Sequence, residues 1–195
     1  KLLLNKTALN INEVKENNII NKINIIDTIN KKKSVLNGKN FIISMGGVES
    51  TRFLMNCNRV GNYNFGNFSK NLGKGFMDHP HMTIGQYIGF KNFYYGNNRR
   101  YMRFFKPTFE FQQKNKILNT TLRIGKDDQF NNKLVKEFNT FYKLKNQSID
   151  HTGYVHINSE QELRNQNQIT LTNEYDDLNI PIINLDFSYS QLDLK

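Results

Sequence analysis

The residues best placed to do chemistry lie where an apolar run meets a pair of glycines. Residues 41–44 are Phe-Ile-Ile-Ser, and Met45-Gly46-Gly47 follows, directly before an amphipathic run that begins at Val48. This pattern predicts a short buried strand of the parallel-sheet kind, a tight turn and a helix. The free N–H groups of a helix N-terminus attract an anion, and glycine lets a ligand approach the backbone closely. Two interpretations stay open, a turn that binds phosphate or ribose and a structural turn without a ligand.

The histidines are the second group of residues that could do chemistry. His79-Pro80-His81 places two imidazoles at i and i+2 on a strand, where they could ligate a metal. No cysteine, third histidine or carboxylate at a fitting spacing completes such a site, so we predict no metal. His156 alternates with apolar residues of a strand, and the polar stretch before His151 predicts a loop. Neither has an activating partner at a readable spacing, and both are predicted to be structural or surface residues.

The elements that must position these residues are mostly short strands. Alternation and apolar runs predict strands at residues 7–11, 18–26, 82–88, 119–124, 154–158, 168–171 and 180–187. Helical spacing predicts helices at residues 48–56 and 134–142. The strands at 154–158 and 168–171 are expected to pair as a hairpin-like unit. We place a domain boundary near residue 85, after the irregular connection at 58–75.

Composition narrows the classes of function. The net charge of +10 would suit a polyanion partner, but the basic residues are dispersed, with short clusters at 31–33 and at Arg99, Arg100 and Arg103. We therefore expect no nucleic acid partner and treat these clusters as solvated surface, with an acidic substrate as the alternative for the three arginines. The single cysteine, Cys57, excludes an internal disulfide and is expected to be buried. No apolar run reaches the length of a membrane span.

Three separated blocks resemble the glucose–methanol–choline (GMC) oxidoreductases, a family of flavoenzymes. Residues 44–54 (SMGGVESTRFL) resemble the family's Gly-Gly-Ile-Glu-Asn-x-Arg-Leu-Leu, and residues 73–81 (GKGFMDHPH) resemble its Gly-Arg-x-Phe-Met-Asp/Glu-His-Pro-His. The third block runs from Glu160 to Asp193. It follows the family's Glu-Gln, Asn-Arg-Val-Thr-Leu, Pro and Leu-Asp-Trp pattern, with Gln168 for Arg, Phe187 for Trp and residues 163–165 (LRN) for Pro-Asn-Pro.

The resemblance implies a mixed α+β and α/β chain with two incomplete domains. Residues 1–85 would form the end of a Rossmann-like FAD-binding domain, and residues 86–195 would form part of an antiparallel-sheet substrate domain. FAD is the implied cofactor, and Gly46, Gly47, Ser44 and Ala8 are the implied cofactor-binding residues. Asp78 and His79 would lie near the substrate cavity or the domain junction, and the alternative for His79 is that it caps a turn and donates structural hydrogen bonds.

The implied reaction is oxidation of an alcohol group, on a sugar or polyol, by hydride transfer to flavin. The family's GxGxxG motif is expected upstream of Lys1 and its catalytic histidine downstream of Lys195, so no catalytic residue is assigned within the chain. We therefore expect this segment alone to be inactive and to hold FAD weakly. The competing hypothesis is a non-catalytic remnant that binds a sugar or a partner protein. Substrate, electron acceptor and oligomeric state stay open, as does the compartment, with the bacterial cytoplasm favoured and the periplasm as the alternative.

Overall fold

Nine strands and two helices form the part of the chain that the structure describes. This structure is a computed structural model, and it describes residues 2–15, 19–66, 70–90, 102–126, 137, 140 and 149–195. In chain order the elements are β1 Lys6–Lys15, β2 Ile19–Asp27, β3 Lys33–Asn37, α1 Gly46–Gly61, β4 His81–Phe90, β5 Met102–Phe105, α2 Phe109–Asn115, β6 Thr120–Lys126, β7 Ile149–Ser159, β8 Gln168–Tyr175 and β9 Pro181–Asp186.

Two compact units divide the chain. The first unit comprises Lys1–Phe76 and Leu163–Ser188, and the second comprises Met77–Glu162 and Tyr189–Lys195. The sequence division near residue 85 gave two continuous segments, whereas here the first unit is assembled from two separate stretches of chain. Contacts between α1 and β8 bring the later stretch back to the first unit.

The first unit is built from an antiparallel sheet in the order β1-β2-β3, the helix α1 and the hairpin β8-β9. Buried apolar side chains alternate along β1 (Leu9, Ile11) and β2 (Ile23, Ile25), and Ile11 lies opposite Ile23, which explains why the two strands pair. Ile11 also packs against Phe53 and Cys57 of α1. One part of the core of this unit therefore lies between the sheet and the helix, and a second part joins Leu9 and Ile26 of the sheet to Ile180.

The thiol of Cys57 is part of this core. Cys57 is fully buried, and its sulfur accepts a hydrogen bond of 3.3 Å from the backbone N–H of Ile11. Burial raises the pKa of this thiol to about 11, because the thiolate would lose its hydration. The expectation that Cys57 is a small buried residue is confirmed.

The second unit is built on an antiparallel sheet in the order β4-β7-β6-β5. In the connection between β5 and β6 lies α2, whose N-cap Thr108 accepts a hydrogen bond of 3.3 Å from the N–H of Phe111. No side chain of α2 is buried. None of the described helices is long and apolar enough to cross a membrane.

The described residues form a mixed α and β protein, and every strand pair in them is antiparallel. The parallel strand predicted at residues 41–44 is wrong, since this segment joins no sheet and Ile42 is 91% exposed. An apolar run shows that a segment can be buried in a sheet, but it does not supply the neighbouring strand. The Rossmann-like end of the predicted architecture therefore has no counterpart among the described residues.

Two further predictions on the elements differ from the structure. The segments at 154–158 and 168–171 do not pair with each other, because β7 pairs with β4 and β6 while β8 pairs with β9. His151 lies in β7 and not in a loop. The helix predicted at 134–142 and the arginines at 99 and 100 fall outside the described residues, apart from residues 137 and 140.

Candidate functional site

The helix α1 begins at a turn that glycine adopts without strain. Gly46 has a φ of 77°, in the left-handed region that disfavours side chains. A Cβ atom built on Gly46 or Gly47 would meet no atom within 4 Å, and both glycines are exposed. Met45 at the N-cap makes no side-chain capping hydrogen bond. The first turn of α1 therefore presents its backbone N–H groups at an open surface.

A cavity of about 210 Å³ lies beside this turn, within the first unit. Its walls come from β1 around Ala8, from the first two turns of α1 with Met45 and Glu49, and from the connection between β8 and β9 with Asp176. The structure thus places Ala8 and the start of α1 around one cavity. Ser44, Gly46 and Gly47 flank Met45 in the sequence but do not line the cavity themselves.

Arg52 joins α1 to the connection between β8 and β9, which forms the third wall of the cavity. Its guanidinium forms an ion pair of 2.6 Å with Asp176, and its Nε donates a hydrogen bond of 2.7 Å to the carbonyl of Pro181. The Asp176 carboxylate also accepts hydrogen bonds of 2.9 Å from the N–H groups of Leu178 and Ile180. Desolvation raises the pKa of Asp176, but these N–H groups and Arg52 together lower it below its ordinary value.

The charges around the cavity indicate what it can bind. Glu49 and Asp176 contribute two carboxylates, and Arg52 contributes one guanidinium that contacts both. The carboxylates accept hydrogen bonds, while a phosphate beside Glu49 would be repelled. The cavity therefore suits a neutral group that carries hydroxyl or amino donors, such as a ribose or a nucleobase, better than it suits a phosphate.

Parts of the three sequence blocks meet in the first unit. Arg52 of the first block contacts Asp176, which follows β8 in the third block. The second block packs against the start of β8, because the N–H of Phe76 donates to the carbonyl of Asn167 at 2.8 Å and the N–H of Ile169 donates to the carbonyl of Gly73 at 2.7 Å.

Glycine is required in the second block at residue 73. Gly73 has a φ of 83°, and a Cβ atom there would collide with the carbonyl oxygen of Ile169. Three residues further on, the ring of Phe76 makes an edge-on contact with Phe187, with the ring centres 5.8 Å apart. The spacing of the motif residues in the second and third blocks is thus explained by contacts between them.

Asp78 and His79, the candidates for a cavity or junction role, lie in the second unit. The N–H of Asp78 donates to Gln161 Oε1 at 2.9 Å, and the Asp78 carboxylate accepts a hydrogen bond of 2.7 Å from the N–H of His79. Both side chains are exposed. Here Asp78, and not the imidazole of His79, makes the structural hydrogen bond.

Sequence reasoning missed a cluster around the other histidine of this segment. His81 of β4 stacks on His156 of β7, with ring centres 5.5 Å apart and an interplanar angle of 27°. Thr83 and Arg123 lie beside them on the same sheet. The signal was present in the strand alternation at 81–83, 121–123 and 154–158, but it indicates a shared face only once the strand order is known.

Within the described ranges, no group of three or more histidine, cysteine or acidic side chains is arranged to hold a metal ion. The cavity beside α1 contains no histidine and no cysteine.

Comparison with protein-family models and with curated proteins finds no match for this chain.

Proposed function

We propose that this chain is part of an FAD-dependent oxidoreductase that resembles the GMC enzymes and oxidises an alcohol group of a sugar or polyol. On this proposal the first unit belongs to an FAD-binding domain and the second, with its antiparallel sheet, to a substrate domain. The observation that carries the proposal is that parts of the three GMC-like blocks, separated by up to about a hundred residues in the chain, come together in the first unit. There the first and third blocks line a cavity together with Ala8.

The geometry supports a role for this cavity in holding the adenosine portion of FAD. A volume of about 210 Å³ is smaller than the roughly 300–1,000 Å³ of a site for a whole small molecule, so it suits one portion of a dinucleotide. Glu49 can accept hydrogen bonds from ribose hydroxyls, as acidic residues do in dinucleotide-binding folds. The open space at Gly47 leaves room for the rest of the dinucleotide to pass close to the first turn of α1.

In this proposal the residues of this chain bind the adenosine portion of FAD and orient it. The small side chain of Ala8 leaves space for the ligand in the cavity, and Arg52 holds the carboxylate of Asp176 in the cavity wall. When bound, the flavin would supply the chemistry by accepting a hydride from the alcohol carbon. The catalytic base is not assigned to any residue of this chain.

The test is a titration of the chain with AMP and with FAD, followed by NMR of backbone amides. We expect saturable shifts at Ala8, Met45 and Glu49, and an affinity at least tenfold weaker in Gly47→Val, whose side chain fills the open space. The matched control is Gly85→Val in β4, where a Cβ atom also meets nothing within 4 Å.

Two outcomes would contradict the proposal. One is the absence of any saturable response up to roughly 10 mM AMP, which corresponds to a binding free energy weaker than about 3 kcal/mol. The other is binding that Gly47→Val leaves unchanged. Binding of monosaccharides with no response to AMP or FAD would favour the non-catalytic sugar-binding module.

A further inference from the structure

One face of the sheet in the second unit gathers cationic and hydroxyl groups from three adjacent strands. Thr83 of β4 is paired with His156 of β7, which is in turn paired with Arg123 of β6. Paired residues on neighbouring strands project from the same face, roughly 5 Å apart. His81 lies two residues before Thr83 and stacks on His156. These four residues are named the histidine–arginine face.

The two histidines are held in a defined arrangement. The Nδ1 atom of His156 lies 3.0 Å from the hydroxyl oxygen of Thr83, at hydrogen-bond distance. The ring of Tyr154 lies on the other side, with its centre 6.0 Å from that of His156. Because Nδ1 is engaged by Thr83, the Nε2 edge of His156 is the edge available to a ligand.

Among the residues that the structure describes, no acidic side chain forms an ion pair with this face. Arg123 forms no ion pair with any described residue, and its Nε atom is buried without a hydrogen-bond partner. Burial lowers the pKa of His156, and the charges of Arg123 and His81 lower it further. A guanidinium without a carboxylate partner beside two imidazoles is an arrangement that suits an oxyanion.

An exposed aromatic ring borders the same face. Phe104 of β5 is paired with Arg123, and it is 62% exposed. We propose that the histidine–arginine face binds the oxyanion group of a small molecule, a carboxylate or a phosphate, with an apolar part of that molecule lying over Phe104. This site lies in the second unit and is independent of FAD binding in the first.

The proposal predicts that binding strengthens as pH falls. An oxyanion is held more tightly by an imidazolium than by a neutral imidazole, so binding takes up a proton at His156. The described titratable and charged groups that face His156 are His81 on β4, Arg123 on β6 and Tyr154 on its own strand, and none of them is a carboxylate.

The test is a titration with sulfate, whose charge is constant over the range used, and with phenyl sulfate, at constant ionic strength. The histidine ring signals of the whole chain are followed by NMR at about pH 6 and about pH 8. We expect the signals of His81 and His156 to shift together and saturably, with binding at least fivefold tighter at the lower pH. Phenyl sulfate should bind at least threefold more tightly than sulfate.

Substitutions separate the two parts of the site. Arg123→Gln should weaken sulfate binding at least tenfold, while Arg59→Gln, a matched change on α1, should leave it within twofold. Phe104→Ala should remove only the advantage of phenyl sulfate. Parallel titrations with acetate and with phosphate at one pH assign the preferred oxyanion as a carboxylate or a phosphate.

The proposal is overturned if neither acetate, phosphate nor sulfate gives saturable shifts, or if Arg123→Gln binds as the unsubstituted chain does. A sulfate affinity that is the same at both pH values overturns the role of the histidines. Because the pH comparison uses the unsubstituted chain, it tests the proposed site even if Arg123→Gln does not fold.

Discussion

Asp27 shows how one carboxylate holds a turn and the end of a strand at once. Its Oδ1 atom accepts hydrogen bonds of 2.9 and 3.0 Å from the N–H groups of Ile29 and Asn30. Its Oδ2 atom forms an ion pair of 2.6 Å with Lys6, the first residue of β1. The hydrogen bond from Lys6, followed by the two N–H groups, lowers the pKa of Asp27 from 3.8 to about 2.

Asp27→Asn should therefore lose stability in a pH-dependent way. A carboxyl group with a lowered pKa in the folded state stabilises the fold above its unfolded pKa, and this contribution is lost as pH falls from about 4 to about 2. We expect the unsubstituted chain to be the more stable of the two at about pH 5, and the difference to shrink at about pH 2.5. Urea unfolding at the two pH values measures it.

Lys6→Met provides the matching control for this pair. It removes the largest cause of the lowered pKa and leaves the turn hydrogen bonds of Asp27 in place. In this variant the Asp27 carboxyl should titrate closer to its ordinary value in a carboxyl-detected NMR titration. An equal stability difference between Asp27→Asn and the unsubstituted chain at both pH values would contradict the prediction.

At the scale of residues, the candidate site could be predicted only in part. Ala8 and the turn before α1 do lie beside one cavity, since a strand–turn–helix pattern is local. Asp176 was missed because it enters the cavity wall from more than a hundred residues away. The grouping of Arg123 with His156 was missed because it depends on the order of strands in the sheet.

At the scale of elements, Arg52 connects α1 to the hairpin β8-β9. Its guanidinium bonds Asp176 and the carbonyls of Ile180 and Pro181, so a single side chain satisfies three acceptors of the connection between the two strands. Arginine fits this task better than lysine because its planar guanidinium donates in several fixed directions.

Arg52→Met should lower the free energy of unfolding by about 2 kcal/mol. Breaking a buried ion pair costs about 3–5 kcal/mol, and solvent at the part-exposed Asp176 reduces that cost. Arg59→Met, on the exposed end of the same helix, should cost less than about 1 kcal/mol. Urea unfolding of both variants measures the difference, and equal effects of the two substitutions would contradict the assigned role of Arg52.

The existence of most elements could be predicted, but their partners could not. The predicted strands at 7–11, 18–26, 82–88, 119–124, 154–158, 168–171 and 180–187 each fall on an observed strand, and the helix at 48–56 falls within α1. Alternation reports that one face of a strand is buried, and it says nothing about which strand lies alongside. The exposed strand β3 has no buried side chain and gave no pattern to detect.

At the scale of the whole molecule, the chain leaves the first unit after Phe76 and returns to it at Leu163. The returning segment supplies Asp176 for Arg52 and the carbonyl of Asn167 for the N–H of Phe76. It also supplies Ile180, which packs in a core cluster with Leu9 and Ile26. The first stretch of chain is therefore not a complete folding unit.

A fragment that ends at Phe76 should not unfold cooperatively. It keeps β1, β2, β3 and α1 but loses the hairpin β8-β9 and the core contact of Ile180. Circular dichroism during urea unfolding should show a broad transition for this fragment and a sharp one for the whole chain. A sharp transition at the same urea concentration in both would mean that residues 163–188 contribute nothing to the stability of the first unit.

The buried position of Cys57 has a consequence for handling the protein. Two chains can be joined through a disulfide only if this thiol, the single one in the sequence, becomes accessible and loses its proton. With a pKa of about 11 and no exposed surface, the native thiol meets neither condition near neutral pH. If free thiols are blocked before denaturation, a covalent dimer on a non-reducing gel reports molecules whose first unit had opened, and its amount measures damage to a preparation.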